Sequence, residues 1–212
     1  MNAELYNGYW ISTDTYLTQE HRNVNAKLVN KYLKGLGWTR NAIAGILGNM
    51  DVESSVNPAL IEGRNVHSLI DNNTCLTIAN TIGVGLVQWT GDTPTAPAGQ
   101  KLASFAIRHN MNWYDGELQC FRLQSEYENN LQFDPGVVDG VSWDWESYVT
   151  SSETPEQLAK VWQLRYERGG SDTQTRQEKA RYYFKLIGSN AWLLFMALQN
   201  NRKEMKKPCR TI

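Results

Sequence analysis

The sequence predicts a mainly α-helical fold with one small β element. Apolar residues recur at spacings of three and four in several segments, the periodicity of helices that turn one face to a core. Capping residues and glycines stand at the ends of these segments. One β-favouring run with two glycines at its start, residues 83–92, predicts a bend into a short strand. The 212 residues contain no internal repeat and no long linker, so we expect one globular domain.

The first helix is predicted to follow an irregular lead-in over residues 1–17, which show no clear period. Thr18 is the expected N-cap. Apolar residues then recur at every fourth position, and we expect the helix to end at Gly35 and Gly37.

The second helix starts after its cap, Thr39, and is strongly apolar. We expect Asn57 to end it, because the residue before a proline avoids the helical region. Gly45 and Gly48 inside the helix cost stability unless another backbone packs closely there. Its core-facing stripe is Ile43, Ile46, Leu47 and Met50.

The rest of the chain is predicted to alternate loops and helices. Residues 59–82 are polar and weakly periodic, which indicates a long loop with a short turn of helix, and 93–99 is a second loop. We expect helices over 100–109 and 114–131.

The clearest local signal is the stretch 154–170, where Thr154 is the N-cap and Pro155 occupies the first helical position. A further helix is expected over 175–188, and another over 189–203.

Composition excludes several classes of function. The formal net charge is −1 with no block of five like charges, which argues against nucleic acid or an anionic membrane as the partner. The longest apolar run has 8 residues, too few to span a bilayer, and nothing at the N-terminus marks the chain for conventional secretion. Cys75, Cys120 and Cys209 are far apart and the three histidines are scattered, so we expect reduced thiols, no metal site and no cofactor. The excess of Trp and Tyr suits either core packing or a surface that contacts sugars.

Glu53 is the candidate catalytic residue of the sequence. It lies on the apolar stripe of the second helix, three residues beyond Met50. A carboxyl among apolar neighbours loses hydration, which raises its pKa and makes it a possible general acid for cleaving a glycosidic bond. The alternative is a structural glutamate that bonds a backbone amide or reaches an arginine.

Two motifs in this region resemble a known group of enzymes. "ESSVNP" (53–58) resembles the Glu-Ser-x-x-Asn-Pro motif of soluble lytic transglycosylases and goose-type lysozymes, and "GVGLVQW" (83–89) resembles their second motif. Together with "WTRNAIAGILGNMDVES" and "YERGG…R…A", they make the chain most similar to the phage tail lysozyme family, peptidoglycan-degrading domains carried on virion tails.

The resemblance implies an α+β lysozyme-like fold with its β element beside an active-site cleft. It implies a lysozyme-like catalytic domain over 25–188, between an N-terminal lead-in (1–24) and a C-terminal helix or tail extension (189–212). It also implies that Glu53 is the catalytic acid. The substrate-binding residues that it implies are Ser54, Gln88, Trp89, Tyr166 and Glu167. On residue type alone, Gln88 could instead be a strand residue facing solvent, and the Tyr166–Glu167 pair part of a solvated ion pair.

A second carboxylate is not assigned by any motif. Asp51 lies ~200° around the helix from Glu53 and points to the opposite side. Asp92 and Glu62 are the candidates. Without a partner carboxylate, the C6 hydroxyl of muramic acid would close an anhydro ring, as in lytic transglycosylases.

The predicted function is therefore a peptidoglycan glycosidase, a muramidase that cuts between N-acetylmuramic acid and N-acetylglucosamine from a phage tail. Its expected partners are glycan strands and other virion tail proteins, not nucleic acid or membrane. A lytic transglycosylase, a non-catalytic wall-binding tail module and a chitinase-like enzyme are the alternatives.

Overall fold

The computed structural model describes residues 4–6, 10–13, 15–63, 69–91, 98–169 and 171–189. Within these ranges the chain forms α-helices, one π-helical turn and two short antiparallel hairpins, which confirms the mainly helical prediction. The α-helices are α1 (Gln19–Gly35), α2 (Arg40–Ser54), α3 (Asn72–Ile78), α4 (Ala98–Arg108), α5 (Gly116–Glu128), α6 (Trp145–Val149), α7 (Pro155–Trp162) and α8 (Thr173–Gly188). The hairpins pair β1 (Glu4–Tyr6) with β2 (Trp10–Ser12) and β3 (Gly136–Val138) with β4 (Val141–Trp143).

Helix α2 is central, and α7 and α8 pack directly on it. The four residues of its predicted stripe are fully buried. A Cβ at Gly45 would lie 2.9 Å from the backbone carbon of Leu158 in α7. A Cβ at Gly48 would overlap the carbonyl oxygen of Arg176 and lie 2.8 Å from the backbone nitrogen of Ala180, both in α8. The two glycines therefore let the backbones of α7 and α8 pack closely against α2, as their position inside the helix predicted.

The N-terminal segment corrects the expectation of an irregular lead-in over residues 1–17. Its two strands have three residues each, too few for an alternating pattern to be recognised. The second strand is fixed by Asn25 of α1. The Asn25 side chain accepts a hydrogen bond from Ile11 N at 2.9 Å and donates one to Ile11 O at 2.8 Å. Trp10 and Ile11 are buried in the core.

The caps of α1 and α2 are confirmed, but α2 ends earlier than predicted. The Thr18 and Thr39 hydroxyls accept hydrogen bonds from backbone amides of the first turns. Helix α2 ends at Ser54, because Ser55 is left-handed with a φ of 52°. Asn57 acts outside the helix, where its amide donates to the carbonyl oxygens of Thr13 and Thr15 at 2.7 and 2.8 Å.

The stretch 83–89 forms a tight turn and not the expected strand. Its only β features among the described residues are isolated bridges from Val84 to Ile61 and to Trp89. Positive φ angles at Gly85 (78°) and Gln88 (49°) fold the chain back on itself within this stretch.

The later helices agree with the sequence prediction apart from two differences. The hairpin of β3 and β4 and helix α6 were not predicted. The helix expected over 154–170 changes after Trp162 into a π-helical turn, Gln163–Glu167, which ends at Arg168 with a φ of 60°. The helix expected over 189–203 lies, beyond Ser189, outside the described residues.

The aromatic excess belongs mainly to the core. The seven tryptophans in the described ranges are each at most 4% exposed. Cys75 and Cys120 are buried free thiols, as expected, whereas Cys209 lies outside the described residues. No described helix is long and apolar enough to cross a membrane.

We predict that Gly48→Ala lowers the free energy of unfolding by about 1–2 kcal/mol, because overpacking against α8 outweighs the gain in helix propensity. Denaturant unfolding measures this difference. The matched control is Gly35→Ala, since a Cβ at Gly35 meets nothing within 4 Å. Equal stability of the Gly48→Ala variant and the wild type would contradict the close approach of α8.

Candidate active-site cleft

A polar cleft of ≈ 420 Å³ opens at the end of α2. It brings together Glu53, Gln88 and Glu167, three of the residues implied by the resemblance, with Glu62, one of the candidate second carboxylates. The lining residues are Tyr16, Glu53, Leu60, Glu62, Gln88, Thr90, Glu167 and Gly169.

Glu53 is held at the cleft by an arginine from α8. Its Oε1 accepts a hydrogen bond from Arg176 Nη2 at 2.5 Å, and its side chain stays 24% exposed. The other end of the buried guanidinium, Nη1, donates to Asn49 Oδ1 at 2.9 Å. Asn49 is fixed in turn, because its amide donates to the carbonyl oxygens of Gly45 and Ala159 at 3.0 Å each. The carboxyl therefore has one defined position at the cleft wall.

Arg176 is a charged partner of Glu53 that the sequence did not identify. The sequence placed this carboxyl among apolar neighbours, whereas the structure pairs it with a guanidinium from α8. Glu53 reaches an arginine, as the structural alternative expected, and it also lines the cleft. Its role as a general acid stays a prediction.

Glu167 reaches the cleft from the π-helical turn after α7. Its Oε1 accepts a hydrogen bond from the indole Nε1 of Trp162 at 2.9 Å. Removal from water raises the pKa of Glu167 to about 8, and the negative charge of Glu53 contributes in the same direction. Burial therefore favours the protonated form of Glu167, which lines the same cleft as the ion pair of Glu53 and Arg176.

Glu62 and Gln88 form the side of the cleft built by the glycine-rich turn. The Glu62 Oε2 atom accepts a hydrogen bond from Gly83 N at 3.1 Å. The Gln88 amide donates to Gly85 O at 2.7 Å and to Leu60 O at 3.3 Å, which fixes its side chain. Gln88 faces the cleft, and its contact with sugar stays a prediction.

Three residues expected to bind substrate are buried behind the cleft, which corrects that expectation. Ser54 is 0% exposed, and its hydroxyl donates to Met50 O at 2.9 Å and Leu86 O at 2.8 Å. Trp89 and Tyr166 are 2% and 1% exposed. These side chains support the walls and do not line the cleft. The candidate Asp92 lies outside the described residues.

Glu126, a buried acid that was not predicted from the sequence, connects the glycine-rich turn to the π-helical turn. Glu126 of α5 accepts hydrogen bonds from Trp89 Nε1 at 3.1 Å and from the Tyr166 hydroxyl at 2.6 Å. Its charge is paired with Arg122 at 2.9 Å. Burial raises the pKa of Glu126, while Arg122 acts in the opposite direction. The available signal was the spacing of four from Leu118 to Arg122 to Glu126, which places both charges on a buried face.

Asp51 lies on the far side of α2, as the helix geometry predicted. It is buried and paired with Arg22 at 2.7 Å and Lys179 at 3.3 Å, and it accepts a short hydrogen bond from Tyr183. Asp51 therefore joins α1, α2 and α8 and takes no part in the cleft. No group of three His, Cys, Asp or Glu side chains in the described ranges is placed to hold a metal ion.

Comparisons with known proteins agree with the resemblance. The family described as phage tail lysozyme matches residues 24–187. Morphogenesis protein 1 of Bacillus phage B103 is 32% identical over 177 residues, which cover 83% of this chain. The aligned region is 42% of that relative, so the chain spans less than half of its length.

We predict that Glu167→Gln stabilises the protein at alkaline pH. Because the folded state raises the pKa of this carboxyl from 4.5 to about 8, its stabilising effect is present below pH 4.5 and is lost as the pH rises through 8. Glutamine does not ionise, so the variant should gain roughly 3–8 °C in Tm over the wild type at about pH 8.5 and nothing at about pH 4.5.

Differential scanning calorimetry at the two pH values measures this gain. The control is Glu178→Gln on the exposed face of α8, for which we expect no pH-dependent difference. A Tm gain for Glu167→Gln that is the same at both pH values would contradict a protonated Glu167.

Proposed function

We propose, because this chain belongs to the phage tail lysozyme family, that it cleaves the β-1,4 bond between N-acetylmuramic acid and N-acetylglucosamine in peptidoglycan. We place it on a virion tail, where it would open the bacterial cell wall during entry. Glu53 is the proposed essential catalytic residue.

The observation that carries this proposal is the pair of carboxyls, Glu53 and Glu167, in one cleft with opposite environments. Glycosidic cleavage requires a protonated carboxyl for the leaving oxygen, and in most glycosidases a second, ionised carboxyl faces the developing positive charge. Environments that push two carboxyls toward different protonation states are the usual means of providing both. Glu53 is paired with Arg176, and burial raises the pKa of Glu167.

The cleft also suits an uncharged sugar substrate. The exposed Thr90 offers a hydroxyl to the hydroxyl and acetamido groups of a sugar. The proposed partners are thus peptidoglycan glycan strands. Other virion tail proteins are further proposed partners, in keeping with the description of the phage B103 relative as a morphogenesis protein.

A lytic transglycosylase is the second candidate within this function. No carboxylate partner is assigned by a motif, and the muramic C6 hydroxyl could take the place of water. The products separate the two, since hydrolysis leaves reducing muramic ends and transglycosylation leaves 1,6-anhydromuramic ends. Mass spectrometry of fragments from a defined glycan identifies the ends.

We predict that Glu53→Gln reduces the clearing of purified cell walls by at least 10²-fold, because the glutamine keeps the shape of the side chain but can neither ionise nor transfer a proton. Turbidity loss and release of soluble fragments measure the activity. Glu178→Gln is the matched control and should clear walls as the wild type does.

Equal clearing by Glu53→Gln and wild type would contradict the proposed site. Wild-type protein that binds walls and releases no fragments would instead support a non-catalytic wall-binding module. Cleavage of chitin oligomers without cleavage of peptidoglycan would favour a chitinase-like enzyme.

A further inference from the structure

We propose that Tyr16 binds the glycan strand at the rim of the cleft, where its aromatic ring packs against the apolar face of a sugar ring. This inference rests on the proposed glycosidase function and adds a binding residue to it. Tyr16 precedes the region that matches the family, residues 24–187. The resemblance therefore does not assign it a role.

The first argument is the exposure of Tyr16 inside the site. Its side chain is 68% exposed, more than any other large hydrophobic side chain in the described ranges. It lines the same cleft as Glu53, and it is the one aromatic residue among the described residues that do so. Trp89, the aromatic residue expected to contact sugar, is buried. Covering the ring of Tyr16 with a ligand removes apolar surface from water, which favours binding.

The second argument is the backbone that presents the ring, which is held on both sides. The carbonyl oxygen of Thr15 accepts a hydrogen bond from the Asn57 amide at 2.8 Å. The backbone nitrogen of Leu17 donates to the Ser55 hydroxyl at 2.9 Å, and the Leu17 side chain is buried in the core. An exposed side chain on a fixed backbone loses little conformational freedom when a ligand binds, so more of its contact energy contributes to affinity.

The third argument is that the groups holding this segment come from the chain just beyond the proposed catalytic residue. Ser55 and Val56 are left-handed, with φ angles of 52° and 55°, so the chain turns sharply after the end of α2. The Ser55 hydroxyl and the Asn57 amide bind the segment that carries Tyr16, and they stand two and four residues after Glu53. The exit of α2 therefore places Tyr16 and Glu53 at one cleft.

The chemistry of a sugar ring suits this arrangement. A pyranose ring carries C–H groups on its faces and hydroxyl groups around its edge. The face of an aromatic ring has a partial negative charge that attracts C–H groups, and tyrosine presents this face with only two side-chain torsions to fix. Thr90, which is exposed in the same cleft, offers a hydroxyl to the polar edge of the sugar.

The experiment measures binding separately from cleavage. The Glu53→Gln variant, whose turnover we expect to be lost, is titrated by calorimetry with a soluble oligosaccharide of alternating N-acetylglucosamine and N-acetylmuramic acid. Adding Tyr16→Ala to this variant should weaken binding about 10-fold, whereas Tyr16→Phe and Tyr16→Trp should change it less than about 2-fold, since both keep an aromatic face. Tyr182→Ala is the matched control, because Tyr182 is an exposed tyrosine of α8 that does not line the cleft.

Steady-state kinetics on soluble glycan strands gives a second readout in the chain with Glu53 intact. Tyr16→Ala should raise KM about 10-fold and change kcat less than about 3-fold, because a contact made equally in the ground state and the transition state affects KM alone. The Tm of this variant should equal that of the wild type, since the side chain is exposed.

The outcomes distinguish the two proposals. Wild-type protein that neither binds nor cleaves peptidoglycan glycan would overturn the proposed function. With an active wild type, three results would overturn only the inference about Tyr16: unchanged affinity after Tyr16→Ala, equal weakening by Tyr16→Phe and Tyr16→Ala, or a loss in kcat without a change in KM.

Discussion

The packing of α8 against the backbone of α2 decides where the charges of the cleft lie. Gly48 lets the two helices approach until the backbone of Arg176 lies against α2, and from there the guanidinium spans Asn49 and Glu53. The position of Glu53 follows from that contact. Burial raises the pKa of Glu167, and the negative charge of Glu53 adds to that shift. A change at a glycine without any reactive atom is therefore coupled to the chemistry of the cleft.

Local signals in the sequence were sufficient for most helices and for the side of α2 on which Glu53 lies. The caps Thr18, Thr39 and Thr154 and the apolar stripe of α2 are properties of short stretches, and the structure has them. The stripe also placed Glu53 on the correct side of its helix. It could not show what faces Glu53, because Arg176 lies 123 residues further along the chain. The short hairpins and the π-helical turn depend on tertiary contacts for the same reason.

The walls of the cleft are supported by buried side chains that hydrogen-bond to a buried acid. Trp89 and Tyr166 belong to the stretches that resemble the family, and the structure uses both to bind Glu126. Trp89 directly follows Gln88, and Tyr166 directly precedes Glu167. Both Gln88 and Glu167 line the cleft. A buried acid that satisfies both side chains ties the glycine-rich turn to the π-helical turn, since a buried hydrogen-bonding group left without its partner is costly. Buried side chains next to cleft-lining residues thus shape the cleft without lining it.

The central claim concerns which carboxyl holds the proton of the cleft, and ¹³C NMR of carboxyl-labelled glutamate measures this most directly. The two resonances are assigned by their loss in Glu167→Gln and Glu53→Gln. We predict that the Glu167 signal changes position near pH 8, well above the range of an unperturbed glutamate. A Glu167 signal that already has the position of an ionised carboxylate at about pH 6 would contradict the account.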